Sequence, residues 1–143
     1  MIEDIERTFS VGYETFFACS SPTGAFEVVF EDDFATGYFY AIATEPEIKI
    51  LDALHIYNVA NVTDGEKPCK LRFEWTDDGK VALLLINSYC HAVFDFARQA
   101  GYCRTGFPVS NGEWGKVRKG NGSRDRLLTD EMIAGILKPE VQS

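Results

Sequence analysis

No apolar run in this chain is long enough to cross a membrane. The longest, residues 81–86, falls far short of the roughly 20 residues a spanning helix needs. No basic, apolar leader opens it either: Met1-Ile2-Glu3-Asp4 is acidic where a secretory segment would be basic, so the expected location is the cytoplasm. Cys19, Cys69, Cys90 and Cys103 include no CxxC pair, which leaves a zinc site without local support. In a reducing compartment these cysteines are expected as thiols rather than as a disulfide framework. A phosphate-binding Gly-rich loop, HExxH and GxSxG are all missing. The expectations are therefore no metal, no cofactor and no recognisable catalytic constellation.

Basic charge is scarce over most of the chain. Residues 1–115 hold 8 basic against 18 acidic side chains, while residues 116–126 hold 5 basic and 1 acidic, within a net charge of −8 at pH 7. An acidic body repels phosphate backbones, so general nucleic-acid binding is disfavoured. The basic segment, with Trp114 just before it, reads as a solvated linker rather than a phosphate-contacting element. A protein partner with a basic surface suits the acidic body better.

Aromatic residues are plentiful: 11 Phe, 6 Tyr and 2 Trp. They favour strands, and strand signals fall at residues 9–19, 25–30, 38–42, 55–62, 71–76, 81–86 and 91–96. Residues 71–76 alternate apolar and polar, and Asp77-Asp78-Gly79 then supplies a hairpin turn. Residues 81–86 are apolar on both faces and read as a central strand. Residues 97–100 suit a helical turn and 101–108 an extended loop. Thr129 is an N-cap candidate before an apolar stripe of Met132, Ile133, Ile136 and Leu137, so 130–138 is predicted to be a helix. The expected fold is mainly β (α+β), an antiparallel sheet or open barrel of about 6–8 strands with one short C-terminal helix. A single domain is expected over 1–143: a β-rich body to 108, a mobile Gly-rich and basic loop over 109–126, and the helix and tail over 127–143.

Few side chains suggest chemistry. With residues 55–59 as a strand, His55 and Tyr57 share one face, and His91 likewise shares one with Val93 and Asp95. An Asp on the same face could orient a His as a general base, although an exposed polar row on a half-buried strand has the same pattern. Arg104, with Tyr102, Cys103 and Thr105 between Gly101 and Gly106, would offer a planar guanidinium to a carboxylate or phosphate; pairing with one of the many acids is the plainer reading. If the side chains converge, Arg104 would also lower the Cys103 pKa. Glu31-Asp32-Asp33 is the tightest carboxylate cluster, but it lacks the spacing of a calcium loop and is read as a solvated turn.

Residues 30–41, 50–64, 91–96 and 101–108, together with 75–87 (WTDDGKVALLLIN), resemble a family of small bacterial proteins known only as a domain of unknown function. The resemblance covers residues 24–108. It departs at Phe34-Ala35, where Gly commonly follows the two acids, and at Cys90, where Pro commonly precedes the His. It implies a bacterial, cytoplasmic, self-contained domain and brings no activity or site residue.

Three functional expectations follow. The first is a non-enzymatic binding domain for a basic protein partner. The alternative is a small-molecule enzyme or ligand sensor whose pocket gathers His55, Tyr57, His91, Asp95, Tyr102 and Arg104. The third is a homodimer formed through an exposed strand edge.

Overall fold

A computed structural model describes residues 1–105, 107, 112–114 and 127–137. Apart from 112–114, the loop expected over 109–126, including the basic segment 116–126, lies outside the described residues. Among the described residues, ten strands make two antiparallel sheets, and these do not close into a barrel. Sheet A has six strands: β1 (Ile2–Glu3) and β2 (Arg7–Phe9) both pair with β7 (Cys69–Trp75). From there the order runs through β8 (Val81–Ile86) and β9 (Tyr89–Asp95) to β10 (Ala100–Cys103). Sheet B has four, in sequence order: β3 (Thr15–Ser20), β4 (Phe26–Asp32), β5 (Thr36–Ala43) and β6 (Lys49–Asn58). The helix α1 (Asp130–Leu137) lies on the outer face of sheet A.

The two-sided apolar pattern of β8 has a direct cause. Ala82, Leu84 and Ile86 face the core between the sheets, while Val81, Leu83 and Leu85 face Met132, Ile133 and Ile136 of α1. Thr129 starts that helix as expected, its Oγ1 accepting from the Met132 N–H at 3.2 Å. Aromatic rings join the sheets. Phe39 of β5 stacks on Phe94 at 4.6 Å and Phe73 at 6.1 Å, and Phe26 stacks on Phe96 at 4.4 Å. Rings of this size dominate core energetics through buried area, and stacked pairs add about 0.5–1.5 kcal/mol each.

The hairpins follow the turn chemistry. Gly79 has φ +71 after Asp77-Asp78, and Asn87 and Ser88 both take positive φ in the two-residue connection from β8 to β9. Three segments differ from expectation. The strand expected over 9–19 is broken at residues 10–14, where Tyr13 N–H bonds Ser10 O at 3.2 Å and Gly12 has φ +89; its halves belong to different sheets. The strand expected over 55–62 runs instead over Lys49–Asn58, and one 3-10 turn, Val59–Asn61, ends it. The loop expected from 101 begins as β10, which pairs with β9 through residue 103.

Candidate functional site

Two β-bulges decide where the candidate side chains point. Strict alternation along β6 would put His55 and Tyr57 on one face. A register shift opposite Gly37/Tyr38 pairs Tyr38 with His55 but Gly37 with Tyr57, adding one residue to β6 and turning Tyr57 inward. Tyr57 packs on Phe30 at 6.2 Å and donates its hydroxyl to Asp32 Oδ2 at 2.6 Å. Burial and the Asp32 carboxylate push its pKa far up, so it remains a phenol. The Tyr57 side chain therefore packs against the core, on the opposite face from the His55 ring.

His55 stays on the outer face of sheet B. Its Nε2–H donates to the Tyr57 carbonyl at 3.1 Å. Its ring stacks on Phe107 at 3.9 Å and on Tyr38 at 4.8 Å, and Tyr38 stacks on Tyr40 at 5.8 Å. The cross-strand register sets this face in rows: Phe16, Glu31, Tyr38, His55, then Ala18, Val29, Tyr40, Ala53. The Tyr40 hydroxyl donates to Glu31 Oε1 at 3.3 Å, and burial, then that carboxylate, push its pKa up to about 12. Glu27 lies on the same face, paired with Ile42 and Ser20. Neither Lys nor Arg occupies these positions. The sequence reading missed this face because its members come from four strands and share only a register.

The adjacent acids have three different fates. Asp32 is fully buried and accepts from Gly12 N–H at 2.8 Å, Phe34 N–H at 2.9 Å and the Tyr57 hydroxyl. Asp33 holds the β4–β5 turn by accepting from Ala35 and Thr36 backbone N–H groups, which lower its pKa. Glu31 faces outward to Tyr40. The reading of all three as one solvated turn fails at Asp32. The cause is the period of β4, which places Val28, Phe30 and Asp32 on the inner face.

The second bulge lies in β9, where Leu84 pairs with Ala92 and Leu85 with Cys90, passing over His91. His91 meets Tyr89 edge-on at 5.0 Å, and the Arg104 N–H donates to the His91 carbonyl at 3.2 Å. Arg104 lies 4.7 Å above the Tyr89 ring, donates Nε–H to Cys90 O at 3.1 Å and pairs with Asp130 of α1 at 2.8 Å. It thus pairs with an acid, as the plainer reading expected, and anchors the helix to β9. Cys103 faces the core, its thiol donating to Thr105 Oγ1 at 3.1 Å, while Thr105 donates to His55 O at 2.7 Å. Neighbouring strand residues face opposite sides, so Cys103 and Arg104 do not converge.

Asp95 is occupied at the far end of β9. It accepts from the Arg98 N–H at 3.0 Å and pairs with Arg98 Nε at 3.7 Å. It lines a groove with Tyr102 and Met132, whereas Arg104 lines a different groove of about 390 Å³ with Arg72, Leu85 and Ile133. The six candidates therefore fall in separate places: His91 with Arg104, Asp95 with Tyr102, His55 outside sheet B and Tyr57 inside it. Among the described residues, no group of three or more His, Cys, Asp or Glu side chains is placed to hold a metal ion. No described helix is long and apolar enough to cross a membrane.

His91 carries a pH prediction. Burial, then the Arg104 charge, hold its pKa below the ordinary 6.5. The unfolded chain binds the extra proton first, so this contribution is whole above the unfolded value. It is lost as pH falls from about 6.5 toward the lowered folded value. Thermal melts from neutral pH to about pH 5 are expected to fall more steeply for the wild type than for His91→Phe. Parallel declines would remove His91 from the pH response.

The family model for "Uncharacterized protein conserved in bacteria (DUF2251)" matches residues 9–133. An "Uncharacterized protein" of Haemophilus influenzae (strain ATCC 51907 / DSM 11121 / KW20 / Rd) is 50% identical over 84 residues, covering 58% of this chain and 52% of that protein. The aligned stretch thus spans about half the length of that curated relative. No solved structure matches the chain.

Proposed function

The chain belongs to the DUF2251 family of proteins conserved in bacteria, and from its geometry we propose that it is a non-enzymatic binding domain of the cytoplasm. It takes a basic segment of a protein partner on the outer face of sheet B. The observation that carries this reading is the row Phe16, Glu31, Tyr38, His55 beside Tyr40 and Glu27. A guanidinium or ammonium laid over Tyr40, at the end of the stack, gains a cation–π contact while Glu31 or Glu27 pairs its charge. The chain makes the same contact internally, with Arg104 over Tyr89. Helix α1 covers the outer face of sheet A; no described helix or strand packs over this one. The net charge of −8 draws a basic partner from a distance and repels an acidic one.

The test is a tyrosine-fluorescence titration with an Arg- and Lys-rich peptide. Affinity is expected to fall at least about tenfold between low and high salt, because screening shortens the reach of the carboxylates. Tyr40→Ala and Glu31→Gln should each weaken binding about fivefold, the size of one partly exposed cation–π or ion-pair contact. Affinity indifferent to both salt and these substitutions would sink the proposal.

A further inference from the structure

The four sheet edges are not treated alike. One edge of sheet A is β1 and β2, of 2 and 3 residues, flanked by the Arg7–Asp4 ion pair. At the other, β10 is met by Leu127 in a parallel bridge with Cys103, and the Leu128 N–H donates to Cys103 O at 2.8 Å. In sheet B, β6 is backed by Gly112, which packs on the Leu51 carbonyl. Short length, charge and covering are the usual protections of an edge.

The fourth edge, β3, is not short and, among the described residues, no strand or backbone bridge covers it, although the Arg7 guanidinium lies over its Phe17 ring. It pairs only with β4, in unbroken register from Thr15↔Asp32 to Ser20↔Glu27. Its sequence, TFFACS, holds no charge, proline, glycine or bulge. Among the described residues, no backbone hydrogen bond from another segment reaches its outer side. Phe16 on this strand is 64% exposed.

We propose that β3 is a dimer edge that pairs antiparallel with β3 of a second copy, joining the two four-stranded sheets into one of eight strands. Identical strands related by a two-fold axis pair in register automatically, and parity keeps each side chain on its own face only when residues of like parity are opposed. Centred on Phe17, the pairing sets Phe16 opposite Ala18 of the partner subunit, large against small on the outer face. It also separates the two copies of Glu14 by roughly 20 Å at ~3.3 Å per residue. That distance is more than twice the ~8 Å screening length at physiological salt, so the two copies of Glu14 do not meet in close like-charge contact. A foreign strand is the competing occupant; the absence of charge along β3 favours a second copy, because an acidic chain would select a basic strand by charge. The dimer does not depend on the binding role proposed above, and the two respond oppositely to salt: screening weakens the basic partner and favours the dimer.

Sedimentation velocity tests it. The wild type is expected to show a species of twice the 16.0 kDa chain mass, undiminished in high salt. Hydrogen exchange at residues 15–20 should slow as protein concentration rises. Ala18→Lys should raise the dimer dissociation constant at least about tenfold, with a melting temperature unchanged at concentrations where both proteins are monomeric, since an edge lysine resists strand addition. Phe16→Ser, at an exposed position, provides a second variant should the first disturb the fold. A single-chain mass from micromolar to millimolar concentration would overturn the proposal. So would a two-chain species that neither substitution weakens.

Discussion

Replacing Asp32 with alanine is expected to destabilise the protein by about 4 kcal/mol, enough to leave a large unfolded fraction at physiological temperature. The carboxylate is fully buried and accepts three hydrogen bonds, from the backbone of Gly12 and Phe34 and from the Tyr57 hydroxyl. A bond to a charged group contributes about 1.5–3 kcal/mol, and a donor left orphaned in the core costs about 1–3 kcal/mol. Alanine removes the acceptor for all three at once. The three donors come from the segment after β2, the β4–β5 turn and the end of β6, so the loss loosens the same corner from three sides. Tyr57→Phe deletes only one partner and should cost about 1–2 kcal/mol. Chemical denaturation of both single variants and the double decides the matter. In the double, the Tyr57 change should cost almost nothing further, because its partner is already gone. Full additivity would show that Asp32 and Tyr57 act independently, contrary to the 2.6 Å bond between them.

Much of this fold is visible in local chemistry. The two-sided apolar run of β8, the Asp-Asp-Gly turn before it and the capped C-terminal helix all follow from periodicity and turn residues, and the structure places them within a residue or two. The failures share one physical origin: each depends on a partner far away in sequence. Nothing in residues 50–62 marks the extra residue that turns Tyr57 inward, because a bulge is a relation between two strands rather than a property of one. Asp32 looks like its exposed neighbour Asp33 until the inner face of β4 is known. The candidate site has the same limit. His55 was identifiable as a strand residue with an unusual side chain, but its stack on Tyr38 and Phe107 exists only once β5, β6 and residue 107 meet.

Gly101→Ala is expected to cost about 2–3 kcal/mol, although residue 101 looks in sequence like the tolerant start of a loop. In the structure it lies within β10, opposite Phe94, where that strand crosses close to β6. A Cβ there would stand 2.7 Å from Asp52 Oδ2 and 2.7 Å from the Phe94 ring. Both obstacles are fully buried, so neither yields cheaply. Phe94 is held in turn by Phe39, stacked at 4.6 Å, and by Trp114, edge-on at 5.8 Å. A shift of Phe94 would therefore spread into both sheets. The steric reading makes a sharper claim than simple intolerance of a side chain. Trimming the obstacle with Phe94→Leu costs about 2–3 kcal/mol alone through lost area and contacts, but it opens room for the new methyl. The double variant Gly101→Ala/Phe94→Leu should then be more stable than the sum of the single losses by at least about 1 kcal/mol. Strict additivity in urea melts would mean that glycine is required for another reason, such as its partners around Asp52. In either case a stretch that reads as the start of a loop in sequence is where β10 packs against β6 of the other sheet.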